Sequence, residues 1–361
     1  MERKAEMGKT AIVLLLAVAL AVLAGGAAYA DTIRLTVGSG HPADGAIWVG
    51  AVRDFFAPEV KKRVESRTSH KIEWVAAYGG SVAKLGEVMD AVQNGLLDVG
   101  LIVIPFKPKL FVHNFTYFTP FGSPDIFQVA KVGGMVFEKV PYLREVFEKQ
   151  FNQKFLSYGT SSSYQLVTNF PVNKTEDLKG KKITGAGPNL PWIRSAGATP
   201  VQMGLGELYT SIQTGVTQGA LITVDMNVGF KIYEVAKYFT FVDFGAVVGN
   251  ITAMNLDRWK KMPKEVQDIM VEVGKEHTMV ETKMTKEKEV AGLEVLKKHN
   301  VTMPILTFEE KKRWANMMPE IPDQMAKDGD KRGMPGSLVM KTYLDELEKD
   351  GFKFPRRWVI K

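Results

Sequence analysis

The chain has 361 residues, a formal charge of +7, 45% hydrophobic and 24% charged residues, and no cysteine. This composition excludes a disordered chain, and the missing cysteine excludes disulfides, thiolate metal sites and cysteine nucleophiles. The length predicts roughly two domains and a core large enough to hold an exported protein without covalent staples.

Met1 to Ala30 reads as a secretory signal. Arg3, Lys4 and Lys9 form a basic start, Ala11 to Ala24 an apolar run, and Ala28-Tyr29-Ala30 a small-x-small cleavage site. The run is shorter than the roughly 20 residues that a span needs, so cleavage after Ala30 is expected, with an uncleaved anchor as the alternative. Lys61-Lys62-Arg63 and Lys311-Lys312-Arg313 read as solvated helix faces. No nucleic-acid partner is expected.

The first strand is predicted over Thr32 to Val37, where Ile33, Leu35 and Val37 alternate with polar residues. Gly38 to Ala43 then matches G-x-G-x-x-A, but no acidic residue closes a second strand at the distance a dinucleotide site needs. It reads as a glycine-rich turn at a cleft edge. A helix follows over Ala46 to Ser66, with Trp48, Val52, Phe55 and Phe56 inward. Lys71 to Ala77 is the next strand, and Lys84 to Asn94 a helix stopped by Gly95. Val99 to Ile104 has no polar side chain, as a buried parallel strand requires. This alternation of strand and helix implies a mainly parallel sheet.

Phe127 to Phe151 reads as helical. Strands are predicted at Phe155 to Tyr158, Gln165 to Asn169, Lys181 to Gly185, Ala220 to Val224, Tyr238 to Val242 and Ala246 to Asn255. Short helices are predicted at Pro191 to Ala196 and Gly206 to Thr214. Lys264 to His299 then contains no proline and only two glycines, with apolar residues at helical spacing. Unbroken, that helix would be about 55 Å long and would reach past one small domain. The alternative is a kink at Gly274 or Gly292. Phe308 to Met318 and Ser337 to Lys349 are the last predicted helices.

Chemistry-bearing clusters are sparse. His41, His70, His113, His277 and His299 have no metal-ligand spacing, and His41 with Asp44 lacks further partners. Ser161-Ser162-Ser163 has no G-x-S-x-G elbow and reads as a polar loop facing a ligand. The aromatic run from Phe106 to Phe127 reads mostly as core or hinge packing, with a few rings lining a pocket. No nucleophile–base pair, cofactor loop or metal cluster is visible. Binding without a cofactor or metal is expected, rather than catalysis.

Asp177 to Gly219 reads DLKGKKITGAGPNLPWIRSAGATPVQMGLGELYTSIQTGVTQG. It resembles the signature of the solute-binding proteins of tripartite ATP-independent periplasmic (TRAP) transporters. There, a strand of the type DLKG-x-KIR precedes a short helix, a GA-x-P turn and a helix of the type ELY-x-x-LQ-x-G. Tyr78 to Gly100, Tyr233 to Thr240, Asn255 to Pro263 and Pro355-Arg356-Arg357-Trp358 also fit. The resemblance implies an α/β fold of two lobes, with a mainly parallel sheet in each lobe and a long helix spanning both. The lobes are expected at 31–155 with part of 245–283, and at 156–244 with part of 284–335, leaving 336–361 as a C-terminal helix and tail. It further implies a monomeric periplasmic protein that closes by hinge motion on one small-molecule solute and delivers it to the TRAP membrane subunits. A binding module for a periplasmic sensor is the alternative, and an enzyme on the same frame a third reading.

The ligand positions depart from that family pattern. The principal arginine, which usually grips a carboxylate, maps to Thr184, and a second arginine maps to Gln165. An acidic or amide position maps to Leu221, and a frequent N-H pair to Asp243-Phe244. Neither Thr nor Gln replaces a bidentate arginine. Arg194 is the nearest substitute cation, with a plain surface role as the alternative. The departures favour a neutral, aromatic or amine-bearing solute, or an atypical organic acid. Trp48, Tyr78, Tyr164 and Trp192 are candidates for stacking. Gln165, Thr184 and Asn189 are candidates for hydrogen bonds, and Asp225 or Asp243 for a ligand amine.

Overall fold

The computed structural model describes residues 32–361, so the expected signal lies outside the described residues. Two five-stranded sheets organise the chain. The first holds β1 (Thr32–Ser39), β2 (Lys71–Ala77), β3 (Val99–Val103), β4 (Gln153–Ser161) and β10 (Val247–Asn255), in the order β2-β1-β3-β10-β4. The second holds β5 (Gln165–Thr168), β6 (Lys182–Gly185), β7 (Thr199–Gln202), β8 (Gly219–Ile222) and β9 (Tyr238–Thr240), in the order β7-β6-β8-β5-β9. β10 alone is reversed in the first sheet, and β5 alone in the second. The mainly parallel reading therefore holds for strand direction in both lobes. All nine residues of β10 are buried, which suits a strand flanked on both edges and covered on both faces.

The chain passes between sheets at 162–164 and returns at 241–246. These crossovers lie side by side: the Tyr164 amide donates to the Gly245 carbonyl (3.0 Å), and the Phe244 amide to the Tyr164 carbonyl (3.1 Å). Gly245 sits at φ +116°, and a Cβ there would lie 3.1–3.2 Å from the Gly122 backbone, so a side chain meets both strain and a wall.

The long helix runs unbroken from Lys264 to Lys298. Neither glycine kinks it. A Cβ on Gly274 would lie 2.5 Å from the Leu156 carbonyl oxygen on β4, and one on Gly292 would lie 2.8 Å from Val224 Cγ1 in the second lobe. The two positions are about five turns apart and so share one helix face. Each glycine marks a close approach, one to each lobe.

Two expected boundaries move. Residue 155 falls inside β4, which belongs to the first sheet along its whole length because it pairs with β10 from Gln153 to Ser161. The helix Ile321–Lys331 packs on Gly336–Lys349, and its Met325 and Ala326 share a core with Ile104 and Val112 of the first lobe. The C-terminal helix therefore extends the first lobe. It is not a separate tail.

Local differences have local causes. Pro141 divides the expected helical run into Ile126–Lys139 and Tyr142–Gln150. The helix before Gly95 begins only at Val88. Val224 opens the unexpected helix Val224–Gly229, whose N-cap Thr223 accepts a hydrogen bond from the Met226 amide. The first helical run, 47–67, includes one π turn at Val52–Phe56; it buries Trp48, Val52 and Phe56 but leaves Phe55 half-buried. No helix among the described residues is long and apolar enough to cross a membrane.

Candidate functional site

A cleft of about 570 Å³ empty volume, part of it open to solvent, lies between the lobes. β1, β3, β6 and β8 bring lining residues at or just past their carboxyl ends, the usual crevice of an open α/β sheet. The first lobe contributes His41, Trp48, Val103, Phe106, Ser161 and Asn250. The second contributes Thr184, Gly185, Ala186, Met203, Leu221 and Met226. Tyr117 and Tyr164 also line it, with their hydroxyls 3.2 Å apart.

The lining carries no fixed charge. Among the described residues, no lysine, arginine, aspartate or glutamate contributes to it. Burial lowers His41 to a pKa of about 4, so its ring is neutral at pH 7. Burial pushes Tyr164 up to about 12 and raises Tyr117 well above the ordinary phenol value, so both phenols keep their protons. Polar capacity nonetheless remains. His41 Nδ1, Trp48 Nε1 and Asn250 Oδ1 are buried without a hydrogen-bond partner among the described residues. Leaving such a group unsatisfied costs about 1–3 kcal/mol, which makes these three atoms the natural contacts of a solute.

Trp48, Tyr164 and Thr184, together with Ser161 of the polar loop expected to face a ligand, are the predicted residues that reach the cleft lining. The Thr184 hydroxyl already donates to the Gly219 carbonyl at 3.3 Å. Asn189 stands just behind the wall, where its Oδ1 accepts from the Ala186 amide at 2.8 Å and shapes the turn after β6.

The other predicted residues go elsewhere, for reasons of packing and pairing. Arg194 is exposed at the C-terminal end of the helix Leu190–Arg194, a favourable place for a cation but outside the cleft lining. Gln165 locks the return crossover: its Oε1 accepts from the Val242 and Asp243 amides at 2.7 and 2.8 Å, and its Nε2 donates to Asp243 Oδ1 at 2.9 Å. Asp243 is further held by Lys311 at 2.6 Å. Trp192 and Phe244 stack at 5.1 Å between centroids in a fully buried core, and Trp192 Nε1 donates to the Tyr117 carbonyl at 2.9 Å. Tyr78 is half-buried outside the lining, packed against the core that includes Val52 and Phe56. Asp225 accepts from the Thr223 hydroxyl at 2.7 Å, also outside the lining, and burial raises its pKa to about 6.

His41, Met203, Met226 and Asn250 also line the cleft without having been singled out as ligand contacts, while Phe106 and Tyr117 come from the aromatic run expected to lend a few rings to a pocket. The carboxyl ends of the predicted parallel strands pointed to His41 and to the segment after Val103. For Asn250, the available signal was an amide in the middle of a strand of otherwise mostly apolar residues.

The family model for bacterial extracellular solute-binding protein, family 7, matches residues 43–328. The chain belongs to this family. Among family 7 relatives, it is 24% identical over 284 residues to the ectoine-binding periplasmic protein TeaA of Halomonas elongata, covering 76% of this chain and 81% of that protein. It is 23% identical to the C4-dicarboxylate-binding periplasmic protein of Rhodobacter capsulatus, covering 74% and 88%. In fold, it superposes with a TM-score of 0.75 on a TRAP solute-binding protein of Desulfovibrio salexigens at 19% identity, covering 88% and 97%. A Rhodoferax ferrireducens TRAP protein, solved with copurified benzoate, gives a TM-score of 0.75 at 16% identity, covering 88% and 98%. This chain is thus an extracellular solute-binding protein of family 7, and its fold is that of the solved TRAP solute-binding proteins.

Proposed function

We propose that this family 7 protein captures a small, uncharged solute, aromatic or otherwise largely apolar with one polar end, and hands it unaltered to its permease. The protein works in the periplasm after export on the Met1 to Ala30 signal. The uncharged lining of the cleft carries this reading. Burying a carboxylate without a cationic partner is costly. Arg194 is exposed and Lys311 is committed to Asp243, so neither serves a solute anion. The same logic removes amines from the expected solutes, since Asp225 and Asp243 stand outside the lining. Trp48, Phe106, Tyr117 and Tyr164 offer ring faces and edges, while the unpartnered atoms of Trp48, His41 and Asn250 offer a polar end.

A thermal-shift panel tests the reading. Benzamide and other neutral rings bearing an amide or hydroxyl should stabilise the protein, whereas succinate and simple amines should not. Strong stabilisation by a plain dicarboxylate, surviving Arg194→Ala, overturns it. Mass spectrometry of the solute recovered after incubation should return it unchanged; a converted product would revive the enzyme reading.

A further inference from the structure

Glu281 stands on the long helix, fully buried and outside the cleft lining. Its Oε1 accepts from Asn250 Nδ2 at 2.8 Å, and Asn250 lines the cleft. The space for this pair is built into β4: a Cβ added to Gly159 would collide with both the Glu281 carboxyl and the Asn250 amide. One of the two Nδ2 hydrogens of Asn250 is given to Glu281, and the amide oxygen has no protein partner among the described residues. We propose that Glu281 is a positioning residue that determines which end of the Asn250 amide meets the solute, so that the cleft selects a hydrogen-bond donor. The proposal rests on the reading of the cleft as a site for uncharged solutes.

The chemistry of the pair makes the selection proton-linked. An ionised carboxylate only accepts, and therefore admits only the orientation with Nδ2 toward Glu281. A protonated carboxyl also carries a donor, and so tolerates the reversed amide. The other titratable group facing Glu281 is His277, one turn earlier on the same helix, with Nε2 3.9 Å from Oε2. Burial holds that imidazole neutral, and its Nδ1 is engaged with Ser157 of β4 at 3.0 Å. The strands packed against Glu281 present uncharged groups to it, Gly159 from β4 and Asn250 from β10. Burial raises the Glu281 pKa to about 8, which places its titration in an accessible range. Donor selectivity should therefore sharpen as pH rises through that value.

The test compares benzamide with acetophenone, which has nearly the same shape but no N–H donor. Affinities are measured by calorimetry at pH 6.5 and pH 9 on the full chain and on Glu281→Gln. The expected preference for benzamide is roughly tenfold at pH 9, the worth of one hydrogen bond, and smaller at pH 6.5. In Glu281→Gln, which offers both a donor and an acceptor at every pH, the preference should not change with pH. Equal pH dependence in both proteins, or none in the wild type, overturns the proposal. Selective ¹⁵N-asparagine labelling supplies a readout independent of solute. The Asn250 side-chain amide signal should titrate near pH 8 in the wild type and stay flat in Glu281→Gln. If neither probe binds while that titration is present, the solute reading fails and the Glu281–Asn250 coupling stands; if the titration is absent, the proposal fails whatever the probes do.

Discussion

Gly45 of the first lobe and Gly229 of the second approach each other backbone to backbone. A Cβ added to Gly229 would collide with the Gly45 carbonyl oxygen, whereas one added to Gly45 would rest 3.6 Å from both the Gly229 oxygen and the Phe230 ring. The relationship is asymmetric because the two Cα–H bonds point differently, and the asymmetry makes a prediction. Gly229→Ala should hold the lobes apart and weaken binding of a stabilising solute by about ten- to a hundredfold, as overpacking by about 1–3 kcal/mol requires. Gly45→Ala should bind nearly as well as the wild type. Calorimetry on both variants, with small-angle scattering to read closure, separates them.

Trp48 lines the cleft, and its buried indole N–H has no hydrogen-bond partner among the described residues. Trp48→Phe keeps a ring and removes the donor. Affinity for a neutral solute with an acceptor should fall roughly tenfold, with little change in melting temperature. Arg194→Ala should leave affinity unchanged, because that side chain is exposed outside the lining. Parallel titrations of the two variants check both statements.

Gln165→Leu tests a residue moved from ligand contact to hinge support. It removes the acceptor for two amides of the return crossover and the donor to Asp243. Leaving the buried Val242 amide unpaired should lower stability by about 1–3 kcal/mol in urea denaturation. A variant of unchanged stability with lost binding would return Gln165 to the site.

Stability should peak near pH 6.5. Burial lowers His41, His113 and His277 each to about 4 from the ordinary value of 6.5. Between those values the unfolded chain binds more protons than the folded one, so stability rises with pH. Burial raises Glu281 from 4.5 to about 8, so the folded state holds the extra proton there and this contribution is lost as pH rises from about 4.5 to 8. Asp225 acts in the same sense up to about 6. The three histidines outweigh the two acids below pH 6.5, and Glu281 alone governs the decline above it. Chemical denaturation across pH 4 to 9 should show this maximum, and Glu281→Gln should flatten its alkaline limb.

Gly274 sets local propensity against packing. In an exposed helix interior, Gly→Ala gains about 1 kcal/mol. Here the added methyl would lie 2.5 Å from a backbone carbonyl of β4. Gly274→Ala should therefore lower the melting temperature, and a rise would show that the helix is not held against that strand.

Much of the frame was legible locally. Alternating apolar residues placed β1, the unpunctuated run from Lys264 to His299 placed the spanning helix, and Asp177 to Gly219 carried the family signature with Thr184 where an arginine was expected. These features depend on residues close in sequence, so their periods and motifs survive without knowledge of the fold. The membership of the cleft did not. Trp48 and Trp192 are both buried tryptophans beside predicted strands or turns, yet one lines the cleft and the other stacks on Phe244. Nothing within a few residues of either distinguishes them.

The sequence by itself determined most of the order of strands and helices, though not β7 or the helix Ile321–Lys331, as well as the helix long enough to join two lobes and the threonine at the family's arginine position, because each rests on local pattern. Only the tertiary structure decided that Gln165 braces a crossover, that Gly45 and Gly229 close on each other, and that Glu281 orients Asn250 at the cleft wall. Those contacts join segments up to about 180 residues apart, where side-chain direction is set by how the two sheets and the long helix pack together.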